Sequence, residues 1–423
     1  MERVPMIRDH TLRQTGSRRG SDRARLRLLL LACTGAALAW AAAAFAQDVG
    51  DDDEFVYSVR EAFEAPSDLR SAKRKEARDS GEWTATVAGT VASGYDSNVH
   101  ESPRKPASAS FEYLGMGVEA LKYAGDVHRL KLDLDTDGRI YNESVNSNPY
   151  RVEGKAFYGY RPNDLYSLGL SATVRRRNDS ATTIDGRKLR RDLAHTAYTA
   201  TGTAWLYPSP HHSLQASLSA QRRDYDETAT LPSIDWWKYG PRVEYDYEPR
   251  KDLEFEVAYI FYAQNYDEEP SSDRSGFEDP SYPPEEHFLH NATAALAWEI
   301  SSNADVTLGY RFRRKDDQFQ QFESYSANSA EFEAEWTPAS RWHLQSSARF
   351  EHRAFDNRIG EAGNDLHYDR WTATFTGFYR VWSDLSLYLA YDFDTRDTNA
   401  VAGRLTYQDY TRHLVTGGVA VYY

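Results

Sequence analysis

Val306-Thr-Leu-Gly-Tyr-Arg-Phe-Arg313 is the stretch on which the fold turns. Side chains of an extended chain point alternately to opposite faces, so Val306, Leu308, Tyr310 and Phe312 share one face, and Thr307, Gly309, Arg311 and Arg313 the other. One face is apolar and the other carries two arginines. The connections on either side are unequal. The turn Ser301-Ser-Asn-Ala-Asp305 before the stretch is short, whereas residues 315–324 after it are long and polar.

Working outward, the alternation returns at Leu253, Phe255, Val257, Tyr259 and Phe261 against Glu254, Glu256, Ala258, Ile260 and Tyr262. It returns again at Leu385, Leu387, Leu389, Tyr391 and Phe393 against Ser386, Tyr388, Ala390, Asp392 and Asp394. Between 83 and 423 there are seven short, turn-rich connections: Ala124-Gly-Asp126, Arg161-Pro-Asn-Asp164, Tyr207-Pro-Ser-Pro210, Glu248-Pro-Arg-Lys-Asp252, Ser301-Ser-Asn-Ala-Asp305, Thr337-Pro-Ala-Ser340 and Trp382-Ser-Asp384. They alternate with eight long polar ones at 97–109, 142–149, 178–192, 225–235, 266–286, 315–324, 356–369 and 395–409. Fifteen connections imply about sixteen strands. Short turns at one end and long loops at the other predict an all-β fold, a transmembrane antiparallel up-and-down β-barrel over 82–423 with both ends of the chain on the periplasmic side. A bilayer demands such closure, because each unpaired backbone group in lipid costs roughly several kcal/mol. Aromatic residues beside the short turns, among them Tyr123, Tyr160, Tyr166, Trp298, Trp336 and Trp382, mark the membrane interface.

The composition agrees. Tyr 29, Trp 10 and Phe 18 make 13% aromatic in 423 residues, yet the mean hydropathy is -0.71, which excludes a bundle of membrane helices and fits poorly with low-complexity disorder. The N-terminus gives the compartment. Arg18, Arg19, Arg23, Arg25 and Arg27 lead into an apolar run that ends at Ala44-Phe45-Ala46, a secretory signal cleaved between Ala46 and Gln47. Removing 1–46 takes away eight Arg and three acids and moves the formal charge from -14 to -19. That acidic balance excludes nucleic acid as a partner. Loss of Cys33, the only cysteine, suits a chain crossing the oxidising periplasm without disulfides. Residues 47–81 read as a periplasmic tail or short helix, with helix-like spacing at 55–63 and a charged run at 70–78.

If the apolar set faces lipid, the opposite set faces the lumen. Arg311, Arg313, Glu331, Glu333, Glu335, Arg349, Glu351 and Arg353 are the candidate selectivity residues, Glu331, Glu333 and Glu335 being the densest stripe of one sign. Two readings stand side by side: opposing charged walls that act on a polar solute, and mixed charges that neutralise one another across strands. Asp- and Glu-rich loops, above all 266–286, offer oxygen ligands to divalent cations, but match no defined calcium loop. No nucleophile-elbow, zinc or phosphate-loop motif is present, so neither an enzyme nor a cofactor is expected. The last strand sets Val419, Val421 and Tyr423 on one face and ends in an aromatic residue, resembling the C-terminal signal recognised by outer-membrane insertion machinery. Outer-membrane lipid and lipopolysaccharide are the surrounding partners, and neither monomer nor trimer is favoured.

Strand one ends in Ala92-Ser-Gly-Tyr-Asp-Ser-Asn-Val99. This phrase, with Gly94, Tyr95, Asp96, Ser97 and Asn98 at its centre, resembles the opening strand of a broad group of proteobacterial outer-membrane barrels. The group includes β-barrel porins found beside exopolysaccharide systems and is similar also to the C-terminal barrel of surface lipoprotein assembly modifiers. The resemblance implies a Gram-negative outer-membrane pore that passes or exports a hydrophilic solute, linked to exopolysaccharide secretion. The alternative is a plugged barrel serving as receptor, adhesin or lipoprotein/protein export partner through its long acidic loops. Lipoprotein assembly modifiers carry a helical-repeat domain ahead of the barrel, and 47–81 spans barely one repeat. In the opening phrase, Gly94 is expected to permit a bend or bulge, and Asp96, Ser97 and Asn98 to turn into the first loop.

Overall fold

The computed structural model describes residues 67–98, 108–142, 148–178, 194–226, 234–359, 363–399 and 409–423. The proposed cleavage pair Ala46 and Gln47 and the helical spacing at 55–63 lie outside the described residues. Among the described residues one helix, α1 (Ser67–Ser80), comes first and covers the charged run at 70–78. The strands are β1 (Thr84–Asp96), β2 (Ala109–Ala124), β3 (His128–Tyr141), β4 (Tyr150–Tyr160), β5 (Tyr166–Asn178), β6 (His195–Ser209), β7 (His212–Tyr225) and β8 (Trp236–Arg250). They continue as β9 (Leu253–Pro270), β10 (Pro284–Ser301), β11 (Ala304–Asp317), β12 (Tyr325–Ala339), β13 (Trp342–Ile359), β14 (Asp365–Trp382), β15 (Leu385–Thr398) and β16 (Tyr410–Tyr422).

Each strand pairs antiparallel with its neighbours in sequence, and β1 pairs with β16, so the sixteen strands form a closed barrel. The amides of Val87 and Tyr423 each donate to the other's carbonyl at 2.8 Å, fastening first strand to last at the short-turn end. All seven short connections fall where the sequence places them. α1 rests beside β1 and β2 at that end. Ala77 is buried, the Thr84 hydroxyl donates to the Lys73 carbonyl at 3.2 Å, and the Arg78 guanidinium lies 5.2 Å from the Tyr123 ring.

The outward face is apolar, as the alternation requires. Leu170 and Leu218 are 63% and 65% exposed, which in water would be a large unexplained patch and in a bilayer is the lipid contact. Tyrosines on this face reach from the apolar band toward histidines at both of its edges. Tyr158 and His128 (2.8 Å) and Tyr245 and His212 (2.7 Å) are hydrogen-bonded toward the short turns, and Tyr259 and His290 (2.7 Å) and Tyr391 and His413 (2.8 Å) toward the long loops. Each ring keeps its apolar body in lipid and its hydroxyl at the polar boundary.

Two local expectations are corrected. The strands run further toward the long-loop end than the sequence suggests: β9 reaches Pro270 and β10 starts at Pro284, so both ends of 266–286 are strand. A span needs about 9–11 residues, and the excess projects beyond the lipid band with polar side chains on both faces, which erases the alternation. Arg222 with Asp267 (2.7 Å) and Arg314 with Asp356 (2.9 Å) tie these extensions together on the outer surface. Gly94 makes no bulge either, because β1 keeps an unbroken register with β2 and β16. A Cβ at Gly94 would sit 2.3 Å from the Phe111 ring and 2.6 Å from the Val415 carbonyl, so glycine is needed for close approach.

Candidate functional site in the lumen

The inner face divides into sectors of different chemistry. At the seam, Asp96 is the buried last residue of β1: Arg412 Nη2 of β16 lies 2.6 Å from its carboxylate, the Tyr141 hydroxyl donates to it at 3.1 Å, and the Asn98 amide donates to it at 3.0 Å as the chain leaves the strand. Ser97 and Asn98 extend the fastening, Ser97 accepting from the His413 amide at 2.8 Å and Asn98 donating to the Thr411 carbonyl at 3.2 Å. Tyr95 points outward. The opening motif therefore joins β1 to β16, with Phe111, Tyr113, Tyr141, Tyr388 and Leu414 packed inside it. Neither Arg412 nor Tyr141 was singled out from sequence, although Asp96 sits at the lumen parity of β1 (Thr84, Thr86, Ala88, Thr90, Ala92) and needs a cation there.

The second sector holds the eight selectivity candidates on β11, β12 and β13. Glu351, 4% exposed, is bound by Arg353 at 2.9 Å, by Arg349 at 2.5 Å and by Arg313, and its remaining lone pairs take the Ser329 and Tyr368 hydroxyls at 3.3 and 3.2 Å. Glu331 bridges Arg311 at 3.1 Å and Arg349 at 3.5 Å. Six of the eight thus form one network. Glu333 and Glu335 stand nearer the short turns, opposite Thr307 and Asp305 on one side and Ser347 and Gln345 on the other. The Glu335 side chain is 50% exposed, with Gln345 at 3.3 Å and His343 at 3.8 Å.

From β8 to β13 charge is also ordered along the barrel axis. On β8, Lys238 and Arg242 lie toward the long loops and Glu244, Asp246 and Glu248 toward the short turn. On β9, Glu254 and Glu256 sit beside the short turn, and on β11, Asp305 does so while Arg311, Arg313 and Lys315 lie higher. On β8–β13 the short-turn end is thus acidic and the other half basic, whereas β3, β14 and β15 run the other way, with Arg129, Lys131 and Arg380 toward the short turns and Asp137 and Asp394 toward the long loops. Aromatic rings accompany cations in the long-loop half, with Arg353 4.3 Å from the Tyr325 ring and Arg223 4.6 Å from Trp236.

The third sector, β5 to β7, carries almost no charge between its ends. In register across the three strands stand Gly169, Thr203 and Ser217; then Ser171, Thr201 and Ser219; then Thr173, Thr199 and Gln221. A charge-based reading of the sequence passes over this wall. Its signal is the alternation of Ser and Thr with Ala, Gly and Leu, as in Thr199-Ala-Thr-Gly-Thr203.

In the acidic loop after β9, the Asp273 carboxylate accepts from the Ser275 hydroxyl (2.6 Å) and the Ser275 and Phe277 amides (2.7 and 3.1 Å), which hold it below the usual carboxylate range. Asp273 thus organises its own turn. Among the described residues no group of three His, Cys, Asp or Glu is arranged to hold a metal ion.

No family model and no curated protein matches the chain. Solved structures similar to it include OccAB1 of Acinetobacter baumannii (TM-score 0.47, 10% identity, 82% of this chain and 97% of that one). An anion-selective porin from Comamonas acidovorans gives 0.43 and 10% over 81% and 99%. A bacterial polysaccharide outer membrane secretin gives 0.43 and 9% over 80% and 98%.

Proposed function

We propose that the protein is an outer-membrane pore that passes or exports a hydrophilic solute and serves exopolysaccharide secretion. The observation that carries this reading is the division of every face: an apolar band outside, and Glu, Arg, Ser, Thr and Gln inside from the short-turn mouth to the long-loop end. Sixteen strands enclose enough space for an aqueous path, whereas eight are filled by their own side chains. Residues 1–46 are removed between Ala46 and Gln47, and the insertion machinery reads Val419, Val421 and Tyr423, of which Val419 and Tyr423 are exposed outward. The short turns then face the periplasm, so an outgoing solute that follows β8–β13 meets carboxylates first and arginines last.

The test is swelling of liposomes containing the refolded 47–423 chain in isosmotic sugars of increasing size. Swelling whose rate falls with solute size is the expected result. Liposomes that hold verified, heat-modifiable barrels yet do not swell would contradict the pore and favour a receptor working through its surface loops.

A further inference from the structure

We infer that the β5–β7 wall is a contact track for a neutral, hydroxyl-rich chain, an oligosaccharide segment, within the pore proposed above, on which this inference rests. Three observations carry it. The side chains of Ser171, Thr173, Thr199, Thr201, Ser219 and Gln221 are half-buried at the lumen surface, and among the described residues they hydrogen-bond to no other protein group. Hydroxyls and amides are both donors and acceptors, and neighbours on adjacent strands stand about 4.5–5.5 Å apart, so the grid offers repeated paired contacts to a chain of hydroxyl groups.

At the short-turn edge of the grid two aromatic rings lie on the wall. Phe157 of β4 and Trp205 of β6 both pack over Gly169, where a Cβ would come within 3.0 Å of Phe157 and 2.8 Å of Trp205. Trp205 is held in place by its indole N–H, which donates to the Gln215 side chain at 2.6 Å. An aromatic face beside free hydroxyls suits the apolar face and polar rim of a sugar ring.

The third observation is contrast: the charged groups of β11–β13 are engaged with one another, whereas the six hydroxyl and amide side chains named above bond to no other protein group among the described residues.

The experiment is single-channel recording of the refolded 47–423 barrel with maltohexaose as the neutral probe and an oligogalacturonate of equal length as the charged one. The variants are Trp205→Ala, the near-isosteric triple Thr199→Val, Thr201→Val and Thr203→Val, and the triple Thr→Ser that restores the hydroxyls. Each variant is checked for heat-modifiable mobility, and binding of maltohexaose to the detergent-folded protein is measured by calorimetry in parallel. Maltohexaose should block the current. Trp205→Ala and the Val triple should weaken its affinity about tenfold while the Ser triple retains it, since lost hydrogen bonds and stacking each carry effects of that order. Oligogalacturonate block should change less. A conducting barrel that maltohexaose does not block, or blocks equally in all variants, overturns the track and leaves the pore standing. A silent barrel whose calorimetric binding is lost in the Trp205→Ala and Val variants overturns the pore and keeps the track. Absence of both overturns both.

Discussion

Strands β11–β13 fill their inner face with charged side chains that satisfy one another, whereas β5–β7, below the arginines at their long-loop end, fill theirs with Ser, Thr and Gln, of which Ser171, Thr173, Thr199, Thr201, Ser219 and Gln221 bond to no other protein group among the described residues. Both walls obey the same period-2 rule and both are polar, yet they answer different constraints. A buried carboxylate such as Glu351 must be surrounded by cations and hydrogen-bond donors, because breaking a buried pair leaves an uncompensated charge. A hydroxyl at a wetted surface exchanges one water bond for another at little net cost. The first wall is therefore held by its own partners, and the second is available to whatever passes.

The largest effect should come from Glu351→Ala, which leaves Arg313, Arg349 and Arg353 without their shared carboxylate. A loss of about 3–5 kcal/mol in folding stability is expected, measured by urea unfolding in detergent or lipid, and a loss below about 1 kcal/mol would show that the network is solvated and not structural. Arg412→Ala at the seam should fall in the same range, since Asp96 is fully buried.

Changing Glu331, Glu333 and Glu335 together to Gln tests whether the charged wall also acts on ions. The expected result is a lower cation preference, by about twofold or more in permeability ratio, because a ring or stripe of carboxylates favours cations. Unchanged reversal potentials would assign these residues to cross-strand neutralisation alone. Smaller effects sharpen the comparison. Asp226→Ala removes the partner of Arg176 on the outer surface, where both side chains are partly exposed, and should cost less than about 1 kcal/mol, falling as salt rises. Thr201→Val should alter stability by no more than about 0.5 kcal/mol. A larger loss would mean that the hydroxyl wall serves the fold.

The barrel was legible because membrane strands broadcast their two faces, and the seven turns were legible because Pro, Gly, Asn and Asp cluster there. Lumen-facing charges could be read for the same reason, since Arg311 or Glu333 turned toward lipid is untenable. What stayed hidden obeys no period. Asp96 looked like a loop residue because its partner Arg412 is over three hundred positions away and meets it only on closure. Gly94 looked like a bend because the ring that fills its space, Phe111, belongs to the next strand. The extensions of β9, β10 and β13 carry polar groups on both faces and so read as loops, and the hydroxyl wall was overlooked because Ser and Thr beside Ala and Gly carry no charge to notice.

Conductance of single refolded 47–423 barrels in a planar bilayer under a salt gradient tests the central claim, a polar path through the barrel, most directly. Stable current steps with a reversal potential of cation-preferring sign are the predicted result. Silent membranes from barrels shown to be folded and inserted would contradict it.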